Sequence, residues 1–192
     1  MAGKFIPRRA PRPNATLLCR RVVEDIAAKL PEMAHVQAER ILFVVGEARR
    51  ASRATIRPLG ASGRPAIKLR GRRALYAVTL RPRFFRSATP EQRIETLLHE
   101  LFHISSSFDG TLSESRRHSR LPRRRFDSLL KPMVRRYQAK GDPELLAALA
   151  HHGEVVARQW LERPTTKGGR RVYTEKQLFL GPMMMITRRR LH

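Results

Sequence analysis

Between Ser87 and Ile104 the chain carries the signals of one amphipathic helix with a second, polar face, and any fold for this sequence has to accommodate it. Thr89 stands at the N-cap, Pro90 at the first helical position, Gln92 completes a capping box, and Glu91 sits where the helix dipole favours negative charge. Ile94, Leu97, Leu98, Leu101 and Ile104 recur at helical spacing, which makes an apolar stripe that needs a core to cover it. His99 and His103 lie off that stripe. Residues four apart on a helix share a face with Cβ atoms about 5–6 Å apart, so both imidazoles can reach one metal ion. Glu100 completes His99-Glu100-Leu101-Phe102-His103, an HExxH pattern, and stands where a general base meets a metal-activated water.

A catalytic zinc needs a third protein ligand and an open position for water. Two residues compete for that role. His118, in Ser115-Arg116-Arg117-His118-Ser119, offers an imidazole and is preferred; Asp109, in Ser105-Ser106-Ser107-Phe108-Asp109-Gly110, is the alternative third ligand, and otherwise orients a ligand from behind. More distant donors are His151, His152 and Glu154, and Tyr137 or an arginine of the basic segments could serve as an additional electrophile.

The run Thr96 to Ile104, followed by Phe108-Asp109-Gly110 and then His118, resembles the small single-domain zincins of the phage-type putative metallopeptidase family, which share HELxHI, a short gap, Phe-x-Gly and a later His. The specific match covers residues 94 to 118. The resemblance implies a zincin-like α+β fold, with His99, His103 and His118 as zinc ligands and Glu100 as catalytic base. It names no substrate.

The remaining sequence frames this segment. At 192 residues the chain suits one domain with a real core. We expect a basic, proline- and arginine-rich tail over 1–13, the metallopeptidase domain over 14–163, and a basic C-terminal extension over 164–192. No apolar run approaches the roughly 18 residues of a membrane span, and the N-terminus lacks a signal-peptide apolar core. The lone Cys19 excludes an internal disulfide. These features predict a cytoplasmic or nucleoid-associated protein.

Charge is the second strong signal. Forty Lys and Arg against 16 Asp and Glu leave a net charge of +24, and no acidic residue occurs from Ala48 to Pro90. A genome rich in G and C accounts for Arg over Lys; it does not account for the shortage of acids. Such a field attracts phosphate polyanions, so DNA or RNA joins a protein or peptide substrate among the expected partners. No finger or aromatic RNA-binding strand is evident, so contact would be backbone-directed.

Along the chain, Leu18, Val22, Ile26 and Leu30 predict a helix after Asn14 that Pro31 ends. Ile41 to Val45 reads as a buried strand; Thr55 to Arg57 and Ala66 to Leu69 read as strands either side of the Gly60-to-Gly63 turn region. Ala74 to Leu80 is the best strand candidate; as an edge strand beside the HExxH helix it would suit extended substrate, and a plain sheet strand is the equally simple reading. Downstream, Asp127 is a candidate cap for a helix that contains Pro132. Asp142-Pro143 opens another, whose stripe runs through Leu145, Leu149, Val156 and Trp160. Beyond 164 the chain reads as basic and loop-like, with strand character at Val172-Tyr173 and Gln177 to Leu180.

The sequence thus predicts an α+β, zincin-like single domain with a small sheet packed on an HExxH helix, acting as a zinc metallopeptidase, with action on or near nucleic acid as the reading that charge adds. The competing classes are a metal-dependent nuclease and a nucleic-acid-binding protein whose metal site is structural or inactive.

Overall fold

The computed structural model describes residues 14–46, 52–60, 65–150, 153–156, 159–165 and 171–187. Asn14 opens the first helix because its side-chain carbonyl accepts the Leu17 amide at 2.9 Å. That helix, α1 (Ala15–Lys29), buries Leu18, Val22, Val23 and Ile26 and ends at Leu30, ahead of Pro31. Five strands follow: β1 (Ile41–Val45), β2 (Ala54–Pro58), β3 (Ala66–Leu69), β4 (Arg72–Arg73) and β5 (Tyr76–Leu80). Then come the helices α2 (Pro82–Ser87), α3 (Pro90–Phe102), α4 (Arg123–Lys140) and α5 (Pro143–Ala150). The last part alternates short pieces: β6 (Gly153–Val156), β7 (Gln159–Trp160), β8 (Val172–Thr174), α6 (Glu175–Leu178), β9 (Phe179–Leu180) and β10 (Met184–Thr187). The architecture is α+β.

The main sheet has the order β1-β5-β2, with β5 parallel to β1 and antiparallel to β2. Alternation along these strands divides the core. Ile41, Phe43, Tyr76 and Val78 face a large cluster that includes α1, α3 and α4, while Leu42 and Ala77 face a second cluster built with Ile67, Leu69, Tyr173 and Leu178. Both faces of the sheet are therefore covered, which explains why Ile41 to Val45 reads as a continuous apolar run.

Four sequence readings are corrected. The Ala74 to Leu80 segment does not supply an edge strand: β5 is paired on both sides, and its Tyr-Ala-Val-Thr-Leu sequence suits a strand covered on both faces. The edges are β1 and β2, and β2 is the one packed against α3. Asp127 does not cap α4; Pro122 stands at the N-cap, Arg123 opens the helix, and Pro132 lies inside it. The stripe through Val156 and Trp160 is not one helix, because α5 stops at Ala150, Val156 ends β6 and Trp160 ends β7. The segment after 164 is less loop-like than its composition suggests: β8 pairs with β3, β9 with β7 and β10 with β6, and Tyr173, Leu178, Phe179 and Met183 are buried. His151 and His152 lie outside the described residues. Thr55 to Arg57 and Ala66 to Leu69 are strands, but of different sheets.

Helix α3 forms as its local signals require. The Thr89 hydroxyl accepts the Gln92 amide at 3.2 Å, and the Gln92 side chain accepts the Thr89 amide at 2.9 Å. Ile94, Leu97, Leu98 and Leu101 are buried, and the C-terminal end of the helix meets α4. A residue with no apolar signature also faces inward. Arg93 is 0% exposed, and its guanidinium donates to the carbonyls of Leu149 at 2.7 Å and Phe85 at 2.5 Å, so it ties α3 to the ends of α5 and α2.

Candidate active site

His99 and Glu100 are carried on the last turn of α3, and His103 is its C-cap, still in right-handed helical backbone with φ −73° and ψ −15°. The apolar stripe fixes the rotation of the helix, so the two imidazoles and Glu100 turn toward a cleft of about 590 Å³. One wall is Ser52 to Ile56, the first half of β2 and the two residues before it; the other is Leu112, Arg117 and His118.

His118 reaches the cleft through a tight return of the chain. Ile104 and Leu112 form an antiparallel bridge, the Ser113 amide donates to the His103 carbonyl at 2.8 Å, and the Ser105 amide donates to that of Thr111 at 3.2 Å. At the tip, Gly110 has φ +91°, a conformation that favours glycine, and Phe108 has φ +49°. The Phe108 ring is buried against Tyr76 at 5.1 Å. The Tyr76 hydroxyl accepts the Gly110 amide at 2.9 Å and donates to the Thr111 carbonyl at 2.8 Å. Phe-x-Gly is thus a plug and a turn that send the chain back beside the helix.

Asp109 stays within this return. Its carboxylate accepts from the Ser107 hydroxyl at 2.8 Å and from the Thr111 hydroxyl and amide at 2.7 and 2.9 Å. Those donors, Thr111 foremost, hold its carboxyl down at about 2.

The three histidines converge. One potential ligand atom from each lies within 4.8 Å of the others, and the Nε2 atoms of His99 and His118 are 3.2 Å apart. Two ligands at about 2.0–2.1 Å from a tetrahedral ion are about 3.3 Å apart, so this pair fits the donor spacing of a zinc-type site. His103 Nδ1 is 2.9 Å from the Arg116 carbonyl. A carbonyl only accepts, so Nδ1 carries the proton and Nε2 keeps its lone pair. Burial, reinforced by the neighbouring imidazoles, pushes His99 and His103 down to about 4, the neutral form that donates to a metal.

Glu100 is 7% exposed and lines the same cleft. Burial raises its carboxyl to about 7, against the opposing pull of the Ile56 backbone amide and the Arg81 charge. A carboxyl near neutrality suits proton transfer at physiological pH. Arg81 also braces the β2 wall, donating to the Gly46 carbonyl at 2.8 Å and to Ser52 Oγ and Thr55 Oγ1, each at 3.2 Å.

Three supporting residues carry no local sequence signal for this role. Phe126 of α4 packs against all three imidazoles, with ring centroids 4.5 Å from His99 and 5.4 Å from each of His103 and His118. Its spacing of four and seven residues from Leu130 and Met133 marks it as core, and only the fold marks it as the floor of the site. Arg116 and Tyr76 are the others. Tyr137, a candidate electrophile by sequence, is fully buried beside Asp25 and does not line the cleft; burial and that carboxylate push its phenol up.

The family model for a putative phage metallopeptidase matches residues 15–152. The chain belongs to that family. The match takes in the HExxH helix, the Phe-x-Gly return, His118 and the β2 wall, so the three-histidine cluster lies within the metallopeptidase part of the chain. Among curated proteins and solved structures, none matches it. Among the described residues, no helix is long and apolar enough to cross a membrane.

Proposed function

We propose that this family member is a zincin-like zinc metallopeptidase in which His99, His103 and His118 hold one zinc ion and Glu100 is the general base. The observation that carries the reading is the convergence of three imidazoles, with His99 and His118 Nε2 at 3.2 Å, beside a buried carboxyl on the same helix. Bound there, zinc would supply Lewis acidity, polarising the scissile carbonyl and making water acidic enough to attack near neutral pH. Glu100 takes the proton of the attacking water and returns it to the leaving amine. The edge of β2 offers backbone groups to an extended substrate, apart from the Ile56 amide that Glu100 engages, and Arg81 braces that edge through Ser52 and Thr55. His103 is oriented by the Arg116 carbonyl, and Phe126 excludes water from beneath the imidazoles.

The test is elemental analysis of purified protein together with cleavage of denatured casein. Wild type should hold one zinc per chain; His99→Ala and His118→Ala should lose it, and Asp109→Ala should keep it. Glu100→Gln should retain zinc while turnover falls at least about a hundredfold, the contribution typical of a positioned acid–base group. Loss of zinc with Asp109→Ala but not His118→Ala would move the third ligand. Full proteolysis by Glu100→Gln would remove Glu100 as base, and metal-dependent cleavage of DNA without proteolysis would favour the nuclease reading.

A further inference from the structure

Arginines stand on both walls of the cleft. Arg53, at the start of the β2 wall, and Arg117, beside His118, are both exposed and both line it. Each forms a surface ion pair with one carboxylate of its own chain: Arg53 lies 3.6 Å from Glu95, and Arg117 lies 2.5 Å from Glu114. All four side chains are between about a third and somewhat over half exposed, so these pairs are weakly held and exchangeable. The other acids nearby are committed, Asp109 to its own turn and Glu100 to the interior. Around the rim the charge is one-sided. From Ser115 to Phe126 there are six arginines and no acid, and Arg57, Arg120, Arg124 and Arg125 are exposed without an acidic partner among the described residues.

We propose that the cleft selects acidic polypeptide, with Arg53 and Arg117 as the residues that read carboxylates on the two sides of the bound chain; this rests on the peptidase reading above. A strand laid along β2 points successive side chains to opposite faces of the sheet, so its two sets of side chains lie on the two sides of the bound chain. A substrate carboxylate displaces the half-buried Glu95 or the exposed Glu114 from its guanidinium at little cost, whereas a lysine at that place meets a field of like charge. A polypeptide fits better than a polynucleotide for two reasons. Apart from the Ile56 amide held by Glu100, the β2 edge presents backbone donors and acceptors, which pair with another amide backbone and have no counterpart in a sugar-phosphate chain. Ala54, Ile56 and Leu112 between the arginines offer apolar surface suited to side chains.

The experiment measures fluorescence anisotropy of labelled extended peptides on zinc-loaded, full-length Glu100→Gln protein at low salt. The peptides share an apolar centre and carry Glu, Gln or Lys at the flanking positions. The Glu peptide should bind at least about fivefold more tightly than the Gln peptide, the effect of roughly 1 kcal/mol from exposed charge pairs, and the Lys peptide more weakly than either. Adding Arg53→Gln and Arg117→Gln should bring the Glu-to-Gln ratio close to unity, while Lys131→Gln with Arg135→Gln, which removes the same charge outside the cleft, should leave it. Arg53→Gln alone, remote in sequence from every histidine of the site, should give about half of the effect. Equal binding of Glu and Gln peptides overturns the proposal, as does an equal loss with the Lys131 and Arg135 pair. Short single-stranded DNA is the competing partner: DNA binding that depends on Arg53 and Arg117, with no discrimination among peptides, assigns the surface to nucleic acid and overturns the proposal. Acid preference in binding with no cleavage of any peptide by wild type would sink the peptidase reading instead.

Discussion

Replacing Arg116 by alanine isolates what holds the third histidine in place. The Arg116 guanidinium donates to the Phe102 carbonyl at 3.2 Å, at the C-terminal end of α3, and lies 4.5 Å over the Phe102 ring. Its own backbone carbonyl receives His103 Nδ1. One half-exposed hydrogen bond and one cation–π contact together contribute about 1–2 kcal/mol. Alanine keeps the backbone carbonyl and removes both side-chain contacts, so the turn carrying His118 loses its clamp to the helix while the histidines remain. If most of that energy serves to hold the turn, zinc binding should weaken by about tenfold, the equivalent of 1.4 kcal/mol. The assay is competition for zinc against a chromophoric chelator, with urea unfolding of the metal-free protein in parallel. Arg116→Lys keeps the charge and should fall between the two. Zinc affinity within about twofold of wild type, with unchanged metal-free stability, would refute the reasoning, because the backbone bonds of the return would then suffice.

Arg93→Met should cost about 3–5 kcal/mol in urea unfolding, since it removes both hydrogen bonds and leaves the Leu149 and Phe85 carbonyls without their guanidinium in the interior; a loss below about 1 kcal/mol would mean that water replaces it. Asp109 gives a pH test. Its folded carboxyl lies at about 2, below the ordinary 3.8, so its stabilising hydrogen bonds are complete above the unfolded value and are lost as pH falls through about 2. The stability difference between wild type and Asp109→Asn, followed by thermal unfolding, should therefore be widest at neutral pH and shrink between about 4 and 2; a difference independent of pH would remove the charge from the explanation.

Much of the site was legible because its signals are local. The Thr89 to Gln92 capping box, the stripe through Ile94 and Leu101, and the two histidines off that stripe lie within a few turns, so helical geometry alone relates them. The family pattern then carried His118 across a gap that periodicity could not bridge. What was illegible depends on partners distant in sequence. Ala74 to Leu80 reads as a strand, yet whether it lies at the edge or the centre is decided by Ile41 and Ala54, and those registers leave no mark on the strand itself. Arg93 looks like any surface arginine until α2 and α5 close over it. The apolar spacing that continues past Ala150 imitates a helix because Val156 and Trp160 are strand residues that happen to fall in phase.

The rung between Ile104 and Leu112 has a consequence for how such sites tolerate change. Distance along the chain from the second histidine to the third is set by a closed loop plugged with Phe108, and then by a mostly exposed stretch from Ser113 to Ser119 that is held to the helix at Ser113 and Arg116. Insertions at the plug would have to unseat a buried ring from Tyr76, whereas residues added in the exposed stretch could bulge into solvent. Spacing between the histidines is therefore an elastic measure for this architecture. The rigid ruler is the rung, and any return that closes there can deliver its own donor to the helix.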